Sequence, residues 1–423
     1  MKKVFLILVI STVSIFTKAQ NDLPNIIAVK PNAMTLGIKL SAPTPQPEKY
    51  YDDLVHPCVR YIPDGFAGHK WWMVGTPYYD INSTIENPIL YYGDSRAGNL
   101  PPLQWTAVGV VADTPPEIGY NSDPCIYYDG KGLWVFWREN WTTECIASGY
   151  DRATFGKYTL DGATFGTKKL FAGEVRGDVD SEMCPIVVKF DGKIKLYGCH
   201  HEFTPIRRPL GLSIWDISDN DLEHKMFSKT KDVLPSYKAG FDFWHFDMFE
   251  YESKYYCVVT PESGTEILLG RSNDGENFKF WKTPLLSGKV TGRNYFYKPS
   301  AIVHEGIFYL WNPVSEEGVK VRTSRIWMSE IKFNELIQLL DKQDDPTKTD
   351  SIEPSTKGTI NIYSTINGIS IYNTDKPTYI SIYTINGDLV YKSFLNTGSS
   401  QISLMKGIYI ITAESKKFKI IVR

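Results

Sequence analysis

The sequence predicts an all-β protein, a five-bladed β-propeller followed by a small C-terminal β-sandwich, on three observations. A short phrase recurs five times, a turn pair and an aromatic run follow each copy, and the chain from residue 358 onward alternates apolar and polar side chains. The copies read His56-Pro57-Cys58-Val59, Asp123-Pro124-Cys125-Ile126, Cys184-Pro185-Ile186-Val187, His245-Phe246-Asp247-Met248 and Lys298-Pro299-Ser300-Ala301. Their turn pairs are Asp64-Gly65, Asp129-Gly130, Asp191-Gly192, Glu252-Ser253 and Glu305-Gly306, and Lys70-Trp71-Trp72-Met73 or Leu133-Trp134-Val135-Phe136 typifies what comes next. Strand, tight turn, strand is the economical reading, and a recurrence at about 60 residues is the mark of blades repeated round an axis. Connecting loops absorb the variation in spacing while each hairpin keeps its phase, so five blades account for residues 20–340.

The remaining elements follow in chain order. Residues 1–19 have the form of a secretory leader: Lys2 and Lys3, an apolar run from Val4 to Phe16, then Thr17-Lys18-Ala19. That run is too short to stay in a bilayer as a helix, so an exported protein is expected. After the last blade, Asn334 to Leu340 is amphipathic enough for one or two helical turns. Residues 341–357 are rich in Asp, Lys, Thr, Ser and Pro and read as a linker. From 358 to 423 come short alternating strands such as Ile360-Asn361-Ile362-Tyr363 and Ile380-Ser381-Ile382-Tyr383, which bury one face each.

A net charge of -2 and the lack of a long basic stretch exclude a nucleic-acid partner. Of the six cysteines, Cys58, Cys125, Cys184, Cys199 and Cys257 fall in or beside strands of different hairpins and are expected as buried thiols. Cys199-His200-His201-Glu202 looks like a metal cluster, but neighbours on a strand point to opposite faces and at most two converge. No metal site and no cofactor are therefore expected beyond a structural ion in the channel.

Inner strands of a propeller line its axis, so the residue before each anchor joins a ring: His56, Asp123, Cys184, His245 and Lys298, with Glu182 and Asp247 close by. Several ionisable groups in one ring mark a candidate catalytic site at Asp123, Glu182, His56, His245 and Asp247. The following strands end on the same rim and supply candidate substrate-binding residues Tyr78, Glu86, Arg138, Trp141, His201, Glu202, Trp244 and Lys298. Aromatic faces with hydrogen bonders between them suit sugars, whereas Trp71, Trp72, Trp134 and Trp311 are assigned to the core.

Two stretches resemble known families. The blade organisation, with Glu182-Met183-Cys184-Pro185 in the third blade and Asp123-Pro124 in the second, resembles the five-bladed glycoside hydrolases that include arabinanases, xylosidases and invertases. The resemblance implies that Glu182 is the acid and Asp123 an inner-strand carboxylate, while His56 stands where those enzymes carry their base. Ile382-Tyr383-Thr384-Ile385-Asn386-Gly387-Asp388, Leu404-Met405-Lys406-Gly407-Ile408-Tyr409 and the basic tail from Lys416 resemble the C-terminal sorting domain of the type IX secretion system of Bacteroidetes. Together they imply a monomeric, secreted or surface-attached hydrolase of poly- or oligosaccharides, handled by the type IX machinery. A non-catalytic carbohydrate-binding propeller and a lyase using His56 and His245 are the alternatives.

Overall fold

The computed structural model describes residues 23, 27–28, 30–32, 54–78, 83–112, 118–174, 179–180, 184–204, 206–235, 243–261, 263–288, 295–315, 324–344, 360–365, 368–373, 378–385, 387–395, 398–413 and 416–422. The leader and Glu182 lie outside these residues. The chain divides into two compact units, residues 1–346 and 347–423.

Unit one is the five-bladed propeller. Its innermost strands are Leu54–Phe66, Tyr120–Tyr128, Ile186–Phe190, His245–Tyr251 and Ser300–His304, each the start of an antiparallel sheet. Each meets the next round the axis, and the fifth meets the first. A short N-terminal segment sews the ring shut: Ile27–Ala28 pairs with the outer strand of the fifth blade, Ile27 opposite Met328, and Lys30–Asn32 runs parallel to Gln104–Val110 on the outside of the first.

The hairpins obey simple turn chemistry. Asp191-Gly192, Glu252-Ser253 and Glu305-Gly306 have φ between 49° and 76° at both positions, as a two-residue turn between right-twisted strands demands. The first blade departs from expectation: its strand runs on through Asp64-Gly65, with a register shift between Tyr61 and Phe66, and turns at Ala67-Gly68 instead. In the second, Asp129 accepts from the amides of Lys131 and Gly132 and closes a longer loop.

Side chains facing the axis bind one blade to the next. Amides of Ile126 and Val187 donate to the sulfurs of Cys58 and Cys125 at 3.3 and 3.4 Å, that of Ala301 to Asp247 at 3.2 Å, and that of Val59 to the Ser300 hydroxyl at 2.9 Å. The equivalent residue of the third blade is Ile186, which has no acceptor; there the Met248 amide turns to its neighbour Asp247 at 2.9 Å. These strands have a free edge toward the channel, and each inward acceptor satisfies a donor that no further strand reaches. All six cysteines are buried free thiols, and Trp71, Trp72, Trp134 and Trp311 lie in the core.

The helix after the last blade is longer than the sequence suggests, Phe333–Asp344, and so takes in the first four residues assigned to the linker. Phe333, Leu336 and Leu340 bury one face, and Asp341 accepts from the Trp281 indole at 2.8 Å. Unit two is a sandwich of a three-stranded and a four-stranded sheet over Ile369, Ile371, Ile380, Ile382 and Ile411.

Candidate active site at the channel mouth

Where the inner strands begin, the chain makes two unusual bends. His56 and Asp123 hold φ of 54° and 50°, and the strand registers slip between Val55 and Cys58 and between Ser122 and Cys125. A bulge costs a ladder position and turns a side chain aside; here both turn toward the axis, ahead of a proline that has no amide to lose. Left-handed backbone at non-glycine residues is a strain that concentrates at functional positions.

The bends bring together residues from three blades. Asp123 Oδ1 lies 3.4 Å from His56 Nε2 and 3.2 Å from His245 Nε2, and the three residues are 1% exposed or less. Their donor atoms fall within 4.8 Å of one another. The other carboxylate oxygen, Oδ2, is fixed by Arg138 Nη2 at 2.8 Å and the Ser122 hydroxyl at 2.7 Å. His56 Nδ1 meets the Thr76 hydroxyl at 2.9 Å, which leaves Nε2 to face the carboxylate. Among the described residues, His56 Nε2, Asp123 Oδ1 and His245 Nδ1 have no hydrogen-bond partner. Buried polar atoms are rarely left so; His56 Nε2 and Asp123 Oδ1 face each other inside the cluster, whereas His245 turns Nε2 rather than Nδ1 toward Asp123.

Electrostatics sharpen the picture. Burial alone would raise Asp123, but Arg138, His56 and His245 outweigh it and hold the carboxyl well below its usual range. Burial lowers both histidines against the pull of Asp123, so they are neutral donors. Glu86, buried and also within range of Asp123, goes the other way: burial first and the Asp123 charge second push it well above an ordinary carboxyl. Two neighbouring carboxyls with opposite shifts are the usual preparation for acid and base roles.

A pH experiment on stability follows. Unfolded histidines titrate near about 6.5, above their folded values, so acidification through that range protonates the unfolded chain first and removes stability. Glu86 acts in the opposite sense, losing its contribution as pH rises above about 4.5. The unfolding midpoint should therefore fall more between about pH 7 and 5.5 in the parent than in a His56→Gln, His245→Gln double variant, which isolates the histidines.

The other expected residues sort clearly. Lys298 joins the cluster's edge, fully buried, its ammonium donating to Pro124 O at 2.9 Å, and Cys184 is likewise buried, within electrostatic range of Asp123 and Arg138. Trp244 stacks on His245 with ring centres 3.8 Å apart, and Tyr78 stacks on Tyr297 at 5.8 Å. Trp141 sits on the rim beside Tyr120. Asp247 is not in the cluster. On one strand with His245 and facing the same way, it lies two residues deeper, where Arg60 binds it at 2.8 and 3.0 Å and Ser300 at 2.6 Å; it is a structural anchor with its acceptors filled. Glu182 and the side chains of His201 and Glu202 lie outside the described residues, so the expected Asp123–Glu182 pair has Glu86 as its described counterpart. Thr76 is expected only as part of the rim segment Thr76-Pro77-Tyr78-Tyr79, and Ser122 and Tyr297 go unnoticed in the sequence; the Tyr297 ring lies 4.8 and 4.6 Å from those of His56 and His245.

Comparison with known proteins bears on the fold. No family model and no curated protein matches the sequence. Among solved structures, an N-acetylgalactosamine deacetylase from F. plautii, in complex with blood group B trisaccharide, aligns with a TM-score of 0.58 at 15% identity over 76% of this chain and 98% of its own. A β-xylosidase aligns at 0.49 and 13% identity over 66% of this chain and 93% of its own. A mutant α-L-arabinanase of Cellvibrio cellulosa aligns at 0.45 and 14% identity over 68% and 98%. At 15% identity the likeness to the deacetylase is one of fold alone.

Proposed function

We propose that the protein is a saccharide-acting hydrolase whose site holds a divalent first-row cation on His56, Asp123 and His245 and removes an acyl group. The observation that carries this is the donor geometry. Two donors about 2.1 Å from a common ion lie about 3.0 to 3.4 Å apart at octahedral or tetrahedral angles, the separations seen between Asp123 and the two histidines, while all three donors fall within 4.8 Å and the two histidines need to stand within about 4.2 Å of each other to share the ion. Two imidazoles and one carboxylate leave other positions open for substrate and water, and Thr76 and Arg138 orient the donors from behind. When bound, such an ion would polarise an acyl carbonyl and ease the ionisation of water.

The chain's own groups do the rest. Asp123 stays ionised because Arg138 and Ser122 hold its far oxygen. After water adds to the acyl carbon, Glu86, kept in the acid form, gives its proton to the oxygen or nitrogen that leaves as the adduct collapses, and it is restored by the proton that the added water gives up. Support for a saccharide ligand is the aromatic side of the site, Tyr78, Trp244 and Tyr297, and the sugar bound by the deacetylase that shares the fold.

The test is chelation with product analysis. Removal of divalent cations from the purified protein should abolish release of acetate from an acetylated oligosaccharide panel, and manganese, zinc or cobalt should restore it. New reducing ends that persist in chelator would favour instead the glycosidase reading, with Asp123 paired with Glu182, as the family resemblance implies, or with Glu86, whose raised carboxyl opposes the lowered one of Asp123.

The same reading keeps residues 1–19 as an export leader and 358–423 as the type IX sorting domain, supported by the sequence patterns and by the separate core of unit two. A protein ending at Pro346 should retain turnover and lose surface delivery, measured by fractionating the producing cells.

A further inference from the structure

Of the seven large apolar side chains exposed on unit one among the described residues, three gather on the rim of the second blade: Ile118, 52% exposed, Trp141, 38%, and Ile146, 51%. Gly119, at φ +72°, lets the chain after Ile118 press on the backbone of Asn140 to Thr142; an added Cβ would sit 2.0 Å from Asn140 O. Trp141 itself has φ +48°. That is a costly conformation for a large aromatic residue, and it turns the indole out of the line of its strand. One side of the ring is backed by the Arg152 guanidinium 5.2 Å from its centre, and its edge meets Tyr120 at 6.4 Å.

This patch is continuous with the candidate active site. Tyr120 lies under the Arg138 guanidinium at 5.9 Å, and Arg138 binds Asp123 at 2.8 Å. Tyr120 is three residues before Asp123 on one strand, about 10 Å along it. A flat apolar ring, rigidly backed by a cation and open on its other side, suits the C–H face of a pyranose.

We propose that Trp141, flanked by Ile118 and Ile146, is a stacking platform for a second sugar ring, so that the protein selects oligosaccharides over monosaccharides. The proposal rests on the reading of the site as one that takes a saccharide. A bound chain lies with its reacting unit over His56, Asp123 and His245 and extends outward along the second blade. Arg152 holds the indole from behind and acts as a positioning residue.

The experiment uses the full chain and acetylated xylo- and hexosamine oligosaccharides from the monosaccharide to the hexasaccharide, with affinity measured by calorimetry on cation-free protein and kcat/KM on cation-loaded protein. In the parent, affinity should rise on going from the first to the longer members. Trp141→Ala should lower the long-to-short ratio of both affinity and kcat/KM about three- to tenfold, the worth of one stacked ring, while Trp141→Phe keeps most of it. An unchanged ratio in Trp141→Ala, or no length dependence in a parent that still binds the short members, overturns the platform and leaves the saccharide reading standing. Failure of the parent to bind any member overturns both.

Discussion

Asp123→Asn should lower turnover by at least about 10²-fold, since it weakens a ligand in the proposed deacylation and removes a base in the glycosidase alternative. The substitution has a second effect. Arg138, 5% exposed, loses the carboxylate that binds it at 2.8 Å, and stripping one partner from a buried pair costs about 3–5 kcal/mol. Denaturant unfolding should show that loss beside the kinetic one. Adding Arg138→Met separates them: the double variant should regain much of its stability and none of its turnover. Full turnover in a folded Asp123→Asn protein would remove Asp123 from both roles.

The largest purely structural effect is expected at Asp247. Its two oxygens take both arms of Arg60, the Ser300 hydroxyl and the amides of Met248 and Ala301, from the first, fourth and fifth blades. Asp247→Ala strands the Arg60 charge and two amides in the channel, a loss of about 3–5 kcal/mol from the ion pair alone. Folded domains hold about 5–15 kcal/mol in all, so the variant should unfold at a much lower urea concentration. Cation affinity per folded molecule should match the parent, because the donors at His56, Asp123 and His245 are untouched. A large drop in that affinity with unchanged stability would reverse the assignment and return Asp247 to the site.

These two aspartates show what a sequence can and cannot carry. Both stand in the repeated phrase, and the repeat places every phrase at the axis because strand, turn and strand have local signatures. The convergence of His56, Asp123, His245 and Lys298 was legible for the same reason. Their roles were not, because a role depends on partners far away in sequence. Arg60 lies 187 residues from Asp247, and nothing in either neighbourhood announces the pair. The bulges at His56 and Asp123 were hidden too: an X-Pro step reads as extended chain, and only the facing strand reveals the slipped register. Asp64-Gly65 misled in the opposite way, carrying turn residues into a position that the first blade spends on a bulge. Glu86 drew notice only as a rim residue, since its acid character comes from burial and from the Asp123 charge, neither of which has a sequence pattern.

The N-terminal segment that joins the outermost strands of the first and fifth blades sets an order of events. Ile27 is among the first residues of the propeller to be synthesised, yet its partner Met328 comes about 300 residues later. Until the last blade exists, the clasp has only its Lys30–Asn32 half to hold, so closure belongs to the end of folding and depends on a contact of very high sequence separation. Lengthening the closed loop adds little thermodynamic cost, because that cost grows only with the logarithm of its length; the burden falls on time. A chain caught before closure exposes the outer edge of the fifth blade, ready to pair with another molecule, and one caught after it does not. The finished ring should therefore resist proteolysis for far longer than its equilibrium stability alone suggests, with the clasp as the place where opening begins.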